Sequence, residues 1–183
     1  MSTRVGGRAW FSGLIFLAMS IMVSEADTLP PSVPANLKPP DGQTLLLKAR
    51  GSGVQIYVCK AKPDGPSSFE WIFKAPQADL AGKQGEIIGK HYGGPTWEAR
   101  DGSKVTGEVQ QKADALRPGA IPWLLLKAKS HEGRGTFEKV TYIQRVDTEG
   151  GVAPAARCDP AHANTQVRIP YRANYYFYIS GQR

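Results

Sequence analysis

Short stretches rich in β-branched and aromatic residues recur along this chain, and glycine, proline, aspartate and serine separate them. Many short strands with turn residues between them are typical of antiparallel all-β folds. We therefore predict an all-β domain, an antiparallel β-sandwich or barrel of about 8–10 short strands with little helix. The best candidate for a helix is Val109–Leu116, which Pro118 would end. The predicted strands are Gln43–Lys48, Val54–Lys60, Phe69–Lys74, Glu86–Lys90, Val105–Gln110, Ile121–Ala128, Thr136–Val146, Gln166–Pro170 and Asn174–Ser180.

The amino terminus has the residue order of a secretory signal. Arg4 and Arg8 precede an apolar run from Trp10 to Val23, and Ser24-Glu25-Ala26 places small residues where a signal peptidase needs them. The run is shorter than the roughly 20 apolar residues of a membrane-spanning helix. We predict a signal peptide over residues 1–26, a secreted or periplasmic mature chain and no integral membrane segment after cleavage. The alternative is an uncleaved membrane anchor.

The mature chain is predicted to consist of a leader and one domain. Five prolines between Leu29 and Pro40 favour an extended backbone and oppose helix, which predicts a proline-rich leader over residues 27–40. The remaining length suits a single domain of ordinary size, and we assign residues 41–183 to it.

The chain has two cysteines, Cys59 and Cys158. In an oxidising compartment they would most simply form one disulfide. The alternative is a pair of buried free thiols. Neither cysteine lies in a redox CxxC motif or beside a histidine, so a catalytic thiol is not predicted.

The net charge of +7 is basic, and the cationic residues are scattered. A nucleic-acid-binding protein usually concentrates such residues on one face, often with stacking aromatic side chains. We therefore predict no nucleic-acid partner. A carbohydrate or small-molecule ligand is the expected partner, and the oligomeric state is left open.

One segment, from His91 to Ser103, combines a histidine, aromatic rings, carboxylates and glycines. A loop on a rigid β scaffold often carries binding groups. The candidate ligand-binding residues of this segment are His91, Tyr92, Trp97, Glu98 and Asp101. The two aromatic rings could form a platform for a sugar ring while the carboxylates bond its hydroxyls. The alternative is structural: His91 bonds a loop carbonyl, Trp97 fills the core and Asp101 begins a hairpin turn.

The first hypothesis is therefore an exported binding module for a carbohydrate or small organic ligand. The second hypothesis is an enzyme, a hydrolase or isomerase that uses His91 with Glu98 or Asp101 as general acid and base. No GxSxG elbow, phosphate-binding loop or histidine cluster is present in the sequence. We therefore predict neither a cofactor nor a metal, and the catalytic residues of such an enzyme are not assigned. A third hypothesis is an interaction protein of the cell envelope.

Arg145 is a further candidate, because it lies in a stretch of otherwise apolar character, Tyr142–Val146. If its side chain points inward, its charge must be paired, and either Glu98 or a ligand anion could pair it. If the side chain points outward, it is an ordinary solvated charge. A concave pocket that collects His91, Trp97 and Arg145 would favour a binding protein or an enzyme over an envelope interaction protein.

Six motifs, taken in order, resemble an uncharacterised secreted family of bacteria and fungi that is catalogued as a domain of unknown function. They are Gly53–Cys59, Trp71–Pro76, His91–Trp97, Ile121–Leu125, Ile143–Val146 and Gly150–Cys158. The resemblance covers about residues 33–180 and implies export, a single domain and a pairing of Cys59 with Cys158. Some fungal members carry a malate dehydrogenase label. This sequence lacks the strand, glycine-rich turn and helix that hold a dinucleotide, so we do not predict a nicotinamide-dependent dehydrogenase.

Overall fold

Eight strands, each antiparallel to its neighbours in sequence, close into an irregular barrel in the computed structural model, which describes residues 30–155 and 158–181. The first strand also pairs with the last, and this pairing closes the ring. Two short 3₁₀ helices, Ala35–Leu37 and Pro160–His162, complete the secondary structure of these described residues. The strands are β1 Gln43–Lys62, β2 Gly65–Ala81, β3 Ile87–Tyr92, β4 Thr96–Ala99, β5 Lys104–Ala113, β6 Trp123–Glu132, β7 Val140–Gly150 and β8 Gln166–Ser180.

The predicted all-β antiparallel class is confirmed. The helix predicted over Val109–Leu116 is wrong, because β5 continues through Ala113 and pairs with β6 along that length. The predicted signal peptide, residues 1–26, lies outside the described residues. Within the described part of the chain, no helix is long and apolar enough to span a bilayer.

β1 and β8 each span two predicted strands, because residues that resemble turn signals lie inside them. β1 runs without interruption through Gly51-Ser52-Gly53. A Cβ atom on Gly53 would overlap the Gln77 carbonyl oxygen and the Ala78 backbone. Glycine at this point allows close approach of the neighbouring strand rather than a turn.

The barrel interior is a continuous apolar core. Side chains of alternate residues on each strand point inward, as the two-residue period of a strand requires. The largest fully buried rings, Trp97, Tyr175, Phe137 and Phe177, pack against one another: Phe137 stacks on Phe177 with ring centroids 4.6 Å apart.

A second apolar cluster lies on the outside of the barrel, under the segment that precedes β1. Leu37 is 0% exposed there and packs with Trp123, Leu125 and Tyr178. The buried Gln144 amide donates to the Leu37 carbonyl oxygen at 2.6 Å. Part of the predicted proline-rich leader is therefore packed on the barrel.

The predicted disulfide between Cys59 and Cys158 is confirmed. It joins β1 to the loop that precedes β8, across a sequence separation of 99 residues. The bond lies beside the pairing of β1 with β8, where the barrel closes.

The short lengths of β3 and β4 leave an opening in the side of the barrel. β2 pairs with β3 only over Ala78–Ala81, and β4 pairs with β5 only from Lys104 to Thr106. The earlier part of β2 and the later part of β5 therefore have no strand between them. The β3–β4 turn forms one edge of this opening. Within this turn, the Pro95 carbonyl oxygen accepts a hydrogen bond from the Gly107 amide at 3.0 Å.

Candidate functional site

A cavity of about 230 Å³ lies at the side opening of the barrel. Residues of β2, the β3–β4 hairpin, β5, β6 and β7 line it. His91, Trp97 and Arg145, which lie far apart in sequence, all contribute to its wall. The lining residues are Phe73, Lys74, Pro76, His91, Gly94, Pro95, Trp97, Val109, Leu124, Leu126 and Arg145.

Strand register places Arg145 on the inner side of the barrel. Arg145 lies directly opposite Leu124 on β6 and opposite Tyr175 on β8. Directly opposed residues of antiparallel strands share one face of the sheet. Of the two orientations considered from the sequence, the structure shows the inward one.

The guanidinium of Arg145 has no acidic partner among residues 30–155 and 158–181. Its Nη2 donates to the Pro122 carbonyl oxygen at 2.8 Å, and its buried Nε has no hydrogen-bond partner in that part of the chain. Glu98, which the sequence offered as a partner, is paired elsewhere, with Lys90. The positive charge of Arg145 is thus uncompensated by any carboxylate of the described residues.

Three tyrosines surround Arg145 and leave its charge in place. Burial raises the pKa values of Tyr57, Tyr171 and Tyr175, so their hydroxyls are neutral at physiological pH. The Tyr57 hydroxyl donates to the Gly151 carbonyl oxygen at 2.7 Å, and the other two hydroxyls lie 3.1 Å apart. Burial also lowers the pKa of Arg145, but a guanidinium remains protonated in proteins.

His91 is a neutral imidazole with one nitrogen committed to the fold. Its ring stacks on Trp97, with centroids 4.4 Å apart and planes 10° from parallel. Nδ1 lies 2.8 Å from the Thr96 carbonyl oxygen, which can only accept, so Nδ1 carries the proton. Burial is the main cause that lowers the pKa of His91 to about 3, and Arg145 lowers it further. Nε2 is then an acceptor with no partner among the described residues.

Trp97 supports the cavity from below rather than standing free as a platform. It is 1% exposed, and its ring packs edge-on against Tyr175 and Phe177. Its Nε1 is buried without an acceptor in the described part of the chain. Together with Arg145 Nε, this leaves two hydrogen-bond donors without acceptors on side chains that line one cavity.

Tyr92 and Glu98 lie on the opposite face of the same hairpin. His91 opposes Trp97, whereas Lys90 opposes Glu98, so the two pairs point to different sides of the sheet. The Tyr92 hydroxyl donates to Glu98 at 2.7 Å, and this bond is the main cause that lowers the pKa of Glu98. The structure does not bring these two residues to the cavity.

Asp101 organises a turn. One carboxylate oxygen accepts from the Ser103 amide and hydroxyl at 2.9 and 2.6 Å, and the other accepts from the Thr136 amide and hydroxyl at 2.8 and 2.7 Å. These bonds, led by that of the Ser103 hydroxyl, hold the pKa of Asp101 well below its ordinary value. His91 therefore has neither Glu98 nor Asp101 beside it as an acid–base partner.

A larger groove of about 990 Å³ lies on the outer surface, bounded in part by residues of β1, β7 and β8. Several of its polar groups pair with one another. Arg117 lies 3.3 Å from Glu149, and Asn174 donates to Asp147 at 2.9 Å. The groove, unlike the small cavity, thus contains carboxylates that pair with its cationic and polar groups. Among the described residues, no group of three or more histidine, cysteine, aspartate or glutamate side chains is placed to hold a metal ion.

Several residues that line the cavity or surround Arg145 were not identified from the sequence. Phe73 and Val109 lie at the mouth, and Tyr171 and Tyr175 lie near Arg145. The four-residue spacing of the two tyrosines places them on one face of β8, which an analysis of strand periodicity could have found. The mouth residues depend on which strands are short, and the sequence carries no comparable signal for that.

Fold and site together define a small antiparallel barrel with a side cavity that contains an arginine. The chain belongs to the family described as Protein of unknown function (DUF3455), whose model matches residues 39–179. The resemblance to an uncharacterised domain-of-unknown-function family is thereby confirmed. No curated protein and no solved structure matches the chain.

Proposed function

We propose that this protein is an exported binding protein for a small organic anion, which it holds in the side cavity against Arg145. The observation that carries the proposal is the arginine that lines the cavity and has no carboxylate partner among the described residues. Arg145 is partly buried, and a charge that is partly removed from water is normally paired, because desolvation without compensation is unfavourable. The sequence offered Glu98 or a ligand anion as the partner, and Glu98 is bonded elsewhere.

The other cavity groups suit recognition of such a ligand. Trp97 Nε1 is a further unpaired donor, which can donate to an oxygen of the anion. A carboxylate accepts readily from a guanidinium, often through two parallel bonds. The walls are otherwise largely apolar, which is typical of sites for small organic molecules.

Export is supported by two observations. The amino-terminal pattern is that of a signal peptide. The disulfide between Cys59 and Cys158 is a bond that persists in oxidising compartments and is rare in the cytosol.

Calorimetric titration with matched pairs of ligands tests the proposal. Benzoate and hexanoate carry the charge, and benzamide and hexanol share their apolar groups without it. We expect saturable binding of the carboxylates alone. Arg145→Gln should weaken that binding at least about 30-fold, because removing one partner of a buried charge pair costs about 2–5 kcal/mol.

The control is Arg134→Gln, which removes the same charge from an exposed loop between β6 and β7. It should bind like the original protein. Equal binding of the neutral and charged ligands would contradict the proposal. So would full affinity in an Arg145→Gln variant that is shown by circular dichroism to be folded.

A further inference from the structure

We infer that the ligand is an amphiphilic carboxylate, whose charged group meets Arg145 and whose apolar chain leaves the barrel between Phe73 and Val109. This inference rests on the proposed function and adds the class of ligand and its orientation.

The mouth of the cavity presents two large apolar side chains to solvent. Phe73 on β2 is 48% exposed and Val109 on β5 is 49% exposed, and both line the cavity. These are the two strands between which the barrel is open. A soluble ligand with polar groups at both ends would leave these side chains in water, whereas an apolar chain between them would cover them.

The path from the mouth to Arg145 is also apolar. Leu126 lies opposite Val109, and Leu124 lies opposite Arg145, so β6 carries leucines along the whole distance. β5, β6 and β7 are consecutive neighbours, and two strand spacings combined with the two-residue offset from Leu126 to Leu124 amount to roughly 12 Å. That distance corresponds to roughly ten bonds of an extended chain at about 1.2 Å per bond. A medium-length alkyl chain therefore fits the distance.

The charged residues that line the cavity also favour this orientation of the ligand. The lining holds two cations, Arg145 inside and Lys74, an exposed residue of β2. No carboxylate lines the cavity in the described part of the chain. A positive opening raises the local concentration of anions and disfavours amines of the same length.

The test is a series of unbranched carboxylates from acetate to decanoate, each titrated below its aggregation concentration into the disulfide-intact protein. Hexanol and hexylammonium are titrated in parallel. We expect the affinity to rise by up to about fourfold for each buried methylene and to level off once the chain emerges into solvent. Hexylammonium should not bind measurably.

Two variants test where the alkyl chain of the ligand lies. Phe73→Ser should weaken octanoate binding several-fold and leave acetate binding unchanged. Ile72→Ser is the matched control, because Ile72 is the neighbouring residue, is 41% exposed and does not line the cavity. It should leave both affinities unchanged.

The outcomes separate this inference from the proposed function. If acetate and octanoate bind equally and both need Arg145, the chain has no apolar path and the inference is overturned, while the proposed function stands. If hexanol binds as tightly as hexanoate, the proposed charge recognition fails. If no carboxylate of any length binds, both are overturned.

Discussion

At the scale of single residues, the burial of His91 in the core makes the free energy of unfolding depend on pH. Its pKa in the folded protein is about 3, against 6.5 for an unburied histidine. Between these values the unfolded chain binds a proton that the folded protein does not. The free energy of unfolding should therefore be fully retained above pH 6.5 and fall as the pH is lowered, with a slope of at most about 1.4 kcal/mol per pH unit.

Urea unfolding between pH 7 and pH 4 measures this slope. His91→Asn keeps a donor for the Thr96 carbonyl but does not titrate, so it should flatten the curve in this range. His162→Asn is the control variant, because it changes a histidine that is 48% exposed and lies outside the core. A His91→Asn curve parallel to that of the original protein would show that His91 is not the titrating group.

The candidate residues fall into two sets because of the two-residue period of a strand. His91, Trp97 and Arg145 meet at one cavity, whereas Tyr92 and Glu98 lie on the other side of the hairpin. Closeness in sequence suggested one site, but neighbours on a strand point to opposite faces. The register of the β3–β4 hairpin determines which of these residues face the cavity, and the sequence indicates that register only weakly.

At the scale of elements, the short β3–β4 hairpin makes the side opening. Gly94 in its turn has φ 98°, a conformation that glycine adopts easily and other residues adopt rarely. The hairpin therefore reverses tightly after six residues of β3. A longer hairpin would reach between β2 and β5 and cover the cavity.

The segment before β1 should contribute to the stability of the barrel, because it packs against strands that are distant in sequence. Leu37→Ala should lower the free energy of unfolding by about 2–5 kcal/mol, the usual cost of truncating a fully buried leucine. Leu116→Ala is the matched control, because Leu116 is 81% exposed. Chemical denaturation of both variants measures the difference. Equal stability of the two would mean that the segment is not held against the barrel.

The class of fold was predictable from local sequence, whereas the lengths of the strands were not. Strand propensity and turn residues identified most of the β segments, but they divided β1 at Gly51–Gly53 and β8 near Pro170. In each case the glycine or proline that resembled a turn residue is paired with a strand that is distant in sequence, since β1 pairs with β8 at these positions. β4 was missed because its four residues are too few to show a period.

At the scale of the whole molecule, the disulfide between Cys59 and Cys158 constrains most of the chain. A double Cys59→Ser/Cys158→Ser variant should lose about 2–5 kcal/mol of stability, because the unfolded chain is no longer cross-linked over a long loop. Guanidinium unfolding of the variant measures the loss, and the original protein under reducing conditions should show the same midpoint as the variant. An unchanged midpoint in both would mean that the bond adds nothing to stability.

The pairing of β1 with β8 also determines the order in which the strand pairings can form. Seven of the eight strand pairings join neighbours in sequence and can form as the chain emerges, but the eighth joins residues 43–58 to residues 166–180. Until β8 is in place, β1 has an edge with unpaired amides and carbonyls, the kind of edge that invites pairing with other chains. A truncated chain that lacks the residues from Gln166 onward therefore leaves β1 and β7 with unpaired edges, and such a product would be expected to aggregate rather than to persist as a partial barrel.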